Sequence, residues 1–144
     1  MSTQVSVNLP VENLVKSKAF FAQLGFKFEP KHTSETGACM VVNETTSVML
    51  LTKPLFKTYI STDICDARKS TESFICLSCK TRQDVDQLVK AAVEAGGNTY
   101  NESKDHGHMY EHGFRDLDGH IWILVHMKES PELSPVEAAS GHIH

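Results

Sequence analysis

Apolar and polar residues alternate through Val5-Ser6-Val7-Asn8-Leu9, the period-two pattern of a strand with one face buried. The period then changes. In ENLVKSKAFFAQLG, Leu14, Phe21 and Leu24 recur at helical spacing, and Gly25 is the expected stop. Apolar stretches at 26–28, 38–42 and 48–52 read as three further strands. The first part of the chain is therefore ordered β-α-β-β-β.

The second part repeats that order. Residues 74–79 read as a strand, and Thr81 with Asp84 makes a helix start resembling a capping box. Val85, Leu88, Val89, Ala92 and Val93 form an apolar stripe that Gly96-Gly97 closes. Strands follow near 98–100, at 109–115 and at 121–126. The helix-ending glycines, Gly25 and Gly96, lie about 70 residues apart, and Leu50 and Ile123 are offset similarly. A supersecondary unit repeated at such a period is a clue to fold. The expected organisation is one domain over 1–128, with module one at 1–55, a polar linker at 56–71 and module two at 72–128. The stretch 129–144, carrying Pro, Ser and Glu without periodicity, is expected to be disordered.

Strand parity separates two faces. Val5, Val7 and Leu9 suit a helix-packed core and leave Ser6 and Asn8 on the other face. Likewise Ile75, Leu77 and Cys79 pack inward, whereas Phe74, Cys76 and Ser78 face out. In the last strand Trp122 and Leu124 are the core pair, opposite in sense to Ile121, Ile123 and Val125. A two-residue turn at Asp118-Gly119 would pair Phe114 with Ile123, while a type I turn followed by a left-handed Gly119 pairs Phe114 with Trp122. The second register is preferred, because it gathers Phe114, Trp122 and Leu124 on the buried side. It turns Glu111, Gly113 and Arg115 toward the open face.

At 144 residues with 40% hydrophobic and 22% charged positions, the composition is that of an ordinary globular domain. A net charge of −4 without a dense Lys/Arg stripe argues against nucleic acid as partner. No apolar run is long enough for a helix to span a bilayer. The start, MSTQVSVNLPVEN, lacks the basic and apolar stretches of a secretory signal, and Cys39, Cys65, Cys76 and Cys79 read as reduced thiols, so a cytoplasmic location is expected.

Two βαβββ modules, with NLPVENLVKSKAFFAQLGF at the start and DLDGHIW in the final hairpin, resemble the vicinal oxygen chelate superfamily, which includes glyoxalase I, bleomycin-resistance proteins and extradiol dioxygenases. The resemblance implies an α+β fold in which paired modules form a curved, open mixed sheet around a cleft, usually within a homodimer. Leu117 stands where the family's turn often has proline. A divalent metal is the family default. The positions matching its ligand sites are Ser6, Leu50, Phe74 and Ile123, none a usual ligand for Zn²⁺, Ni²⁺ or Fe²⁺, so no cofactor is expected.

The stretch DHGHMYEHGF does not replace that site. His108 and His112 share a parity but lie about 13 Å apart on an extended chain. Cys76-Leu77-Ser78-Cys79 spells C-x-x-C, yet its cysteines point to opposite faces of a strand. The expected function is binding of a small, partly apolar molecule by a bleomycin-resistance-like protein without metal. Its candidate ligand-binding residues are Ser6, Asn8, Leu50, Phe74, Cys76, Glu111, Arg115 and Ile123. The alternative is a lyase, isomerase or dioxygenase related to glyoxalase I, with Glu111 as candidate base.

Overall fold

The computed structural model describes residues 3–128; the tail expectation at 129–144 lies outside them. Module one runs β1 (Val5–Val11), α1 (Leu14–Gln23), β2 (Lys27–Phe28), β3 (Gly37–Val41) and β4 (Thr46–Thr52), followed by α2 (Lys53–Lys57). Module two runs β5 (Ile75–Ser78), α3 (Arg82–Glu94), β6 (Asn98–Thr99), β7 (Lys104–Asp105), β8 (Met109–Arg115) and β9 (Ile121–Met127). The strands form two open mixed sheets, ordered β1-β4-β3-β2 and β5-β9-β8-β6, with β7 added against β8. In each sheet the first strand runs parallel to the last, β1 along β4 and β5 along β9, so topology as well as order is duplicated. The chain is α+β, as its element order predicts.

The two longer helices, α1 and α3, begin where a short polar side chain satisfies a free backbone N–H. Asn13 accepts from Lys16 N at α1, and Thr81 from Asp84 N at α3. Their apolar stripes then share one core with the inner faces of both sheets, including Leu9, Val48, Phe21, Val89 and Leu124. Val93, at the edge of the predicted stripe, stays exposed, as does Val5 at the strand start. The Phe21 ring of α1 lies 5.1 Å from the Trp122 ring of β9, and Phe114 stacks parallel to that indole at 6.1 Å. The helix of one module thus packs on the sheet of the other.

Leu50 requires correction. The β1–β4 register pairs Leu9 with Leu50 and Asn8 with Met49. Leu50 is therefore on the core face, fully buried, and Met49 points outward in its place. Aligning the halves at an offset that matched Leu50 with Ile123 slips one residue, and one residue exchanges the faces of a strand.

The linker is also more ordered than its composition suggests. The helix α2 leads into it across the expected boundary, and Leu55 of α2 lies on the same side as Leu51 and Met49. Asp66 then accepts from Arg68, Lys69 and Ser70 backbone N–H groups, and the Arg68 guanidinium donates to the Leu117 carbonyl. Polar residues here satisfy local turns and dock the strap on the β8–β9 hairpin.

That hairpin has the register its turn chemistry predicts, with Phe114 opposite Trp122 and Gly119 at φ +89°. A Cβ at Gly119 would also fall 2.7 Å from Arg68 Cγ. Gly119→Ala should cost about 1–2 kcal/mol from the left-handed backbone alone, read as a lower denaturation midpoint. Two acids of the same turn are buried. Asp116 accepts from Trp122 Nε1 and from the Asp118 and His120 N–H groups. Asp118 reaches the other module, accepting from Glu12 N at 2.8 Å and Ser17 Oγ at 3.3 Å.

Candidate functional site

The faces of the two sheets turned away from α1 and α3 carry the candidate residues other than Leu50. On sheet one Ser6 and Asn8 are exposed beside Ser47 and Met49. On sheet two the ladders place Cys76, Ile123 and Gly113 in one row, with Ser78, Val125 and Glu111 in the next and Ile121 opposite Arg115. Ile121, Ile123 and Val125 form a second apolar cluster with Met109, separate from the main core. Phe74, just before β5, is 56% exposed.

The two faces meet at a cavity of about 260 Å³. Asn8 and Pro10 of β1, Ile121 of β9 and Phe56, Ile60 and Ile64 of the linker strap are among its lining residues. His120 also lines it while its Nε2 donates to the Pro10 carbonyl at 2.8 Å. Of the predicted ligand residues, Asn8 lies on this cavity and Ser6 further along sheet one; Leu50 is turned into the core of sheet one, and Phe74, Cys76, Glu111, Arg115 and Ile123 belong to the sheet-two side. The strap residues were not anticipated. The available signal was Phe56, Ile60 and Ile64 recurring every four residues within a stretch otherwise read as polar.

Glu111 and Arg115 do not pair with each other. Glu111 Oε1 shares a 2.7 Å hydrogen bond with His106 Nε2, and the Arg115 guanidinium lies 5.3 Å over the Tyr100 ring. His112 points the other way, its Nδ1 3.8 Å from Asp86 of α3. His106 and His112 of the DHGHMYEHGF stretch are thereby divided between faces. Burial raises the Cys76 thiol above its ordinary value, with the Glu111 charge adding to it. The Cys79 thiol is pushed up to about 11, first by burial and then by Asp84 and Cys76. Both cysteines are held toward the neutral thiol, which is the weaker nucleophile.

On the outward face the positions matching the family's metal ligands offer a hydroxyl at Ser6, carbon side chains at Phe74 and Ile123, and, with Leu50 turned into the core, the Met49 thioether in its place. Among the described residues, no three of His, Cys, Asp or Glu are grouped to hold an ion. This donor set does not fit the divalent metal the superfamily often binds. No described helix is long and apolar enough to cross a membrane.

Paired βαβββ modules forming open mixed sheets define the glyoxalase-like fold. A sequence profile of the Glyoxalase/Bleomycin resistance protein/Dioxygenase superfamily matches residues 3–124, and the chain belongs to that superfamily. A hypothetical protein from S. aureus superposes with TM-score 0.74 at 30% identity, over 87% of this chain and 94% of its own. A family enzyme from Burkholderia phytofirmans gives TM-score 0.73 at 15% identity, over 88% and 100%. The genomically encoded fosfomycin resistance protein of Listeria monocytogenes gives 0.64 at 15%, over 89% and 95%. The last two similarities speak for the fold alone. Among curated proteins no match is found.

Proposed function

We propose that this protein binds a small, partly apolar molecule without a metal, with the ligand resting against Ile121. The observation that carries this reading is that Ile121 belongs both to the cavity wall and to the outer apolar cluster. A cavity of about 260 Å³, just below the roughly 300–1,000 Å³ of ligand pockets and apolar with a few polar anchors, suits a compact guest. The reading includes a homodimer in the cytoplasm, as is common in the superfamily.

The neutral probe N-phenyl-1-naphthylamine, titrated in EDTA, tests it. Fluorescence enhancement is expected in wild type and should be lost in Ile121→Asn and in Phe56→Asp, the latter altering a half-buried strap residue. Probe binding unchanged in both variants, or restored only by Zn²⁺ or Ni²⁺, would refute the reading. A second reading, acid–base catalysis of the glyoxalase type, rests on the His106–Glu111 hydrogen bond, since a carboxylate-held imidazole is a usable proton acceptor. Substrate turnover abolished by Glu111→Gln with binding intact would favour it.

A further inference from the structure

We propose that the ligand of this face is an organic anion, held at its charged end by Arg115. The proposal rests on the reading that the ligand lies against Ile121, and it names the chemical class. Arg115 stands opposite Ile121 in the β8–β9 ladder and is half-buried. Its guanidinium meets the Tyr100 ring, and among the described residues no oxygen pairs with it. The other two arginines are engaged: Arg82 with Asp105 at 2.9 Å and Arg68 with the Leu117 carbonyl. The neighbouring acid on this face, Glu111, is four residues away, about 13 Å along the strand, and is bonded to His106. Between them Gly113 contributes no side chain, and Ile123 Cδ1 would lie 2.8 Å from a Cβ placed there.

A cation beside hydrocarbon is costly unless an anion meets it. The planar fork of donors matches a carboxylate, sulfonate or phosphate, and the Tyr100 ring restricts the plane of that fork. An apolar body over Ile121 and Ile123, with one acidic group at Arg115, satisfies both parts of the face.

Two fluorescent probes share an arylnaphthylamine body and differ in charge: 8-anilinonaphthalene-1-sulfonate and N-phenyl-1-naphthylamine. In Arg115→Gln the sulfonate should bind about tenfold to a hundredfold more weakly, the range for a charged hydrogen bond, with the neutral probe unchanged. Arg115→Lys should fall between. Added salt should weaken the sulfonate in wild type and not in Arg115→Gln. Equal sulfonate affinity in wild type and Arg115→Gln, or an equal loss for both probes, overturns the proposal. Failure of the underlying reading is distinct, because then Ile121→Asn and Phe56→Asp leave both probes bound.

Discussion

Trp122→Ala is expected to lower stability by about 3–5 kcal/mol, measured by urea denaturation. The indole is fully buried and touches Phe21, Phe26 and Phe114, so truncation leaves a cavity lined by rigid rings. It also removes the Nε1–H that Asp116 accepts at 3.0 Å. Burial already pushes the Asp116 carboxyl above the usual carboxylate range, against the donors that hold it down. Losing one donor makes the ionised form still harder to keep. Trp122→Phe should therefore fall between wild type and alanine, since it fills part of the space without restoring the N–H. An alanine variant with an unshifted denaturation midpoint would contradict the core described above.

Asp118→Ala should be the second large loss, about 2–4 kcal/mol, because it strands two donors and not one. Glu12 N and Ser17 Oγ both give to this carboxylate, and Ser17 is itself buried. Asp118→Asn keeps an acceptor for one of them and should cost less. A double-mutant cycle with Ser17→Ala isolates the side-chain pair. Full additivity would mean that the hydroxyl and the carboxylate do not act together across the module boundary.

Some of this was written in the sequence and some was not. The β8–β9 register followed from Gly119, since turn chemistry and strand parity are local and leave few arrangements. Phe114 facing Trp122 then fixed the sides of Glu111, Arg115 and Ile123. Leu50 failed because its side depends on pairing with Leu9 across forty-one positions, and every residue of 48–52 except Thr52 is apolar. With hydrophobic side chains on both parities, no alternation marks the buried face. The strap failed for another reason: polar residues that close their own turns look the same, in composition, as polar residues in free chain. Asp118 bridging to Ser17 of α1 was beyond reach, because nothing local announces a partner 101 positions away.

The buried acids of the second hairpin make the two copies unequal in what they tolerate. The corresponding turn of module one bonds within its own module: Asn43 Oδ1 accepts from Thr45 N and Oγ1, and the Glu44 and Thr45 carbonyls accept from Gln4 and Val5 at the start of β1. Extra residues inserted after Asn43 would lengthen a loop at small entropic cost. The same insertion after Leu117 would displace both carboxylates from donors in two modules at once. Across homologues of this chain, new loops should therefore accumulate at the 43–45 turn while the length of the 116–119 turn stays fixed.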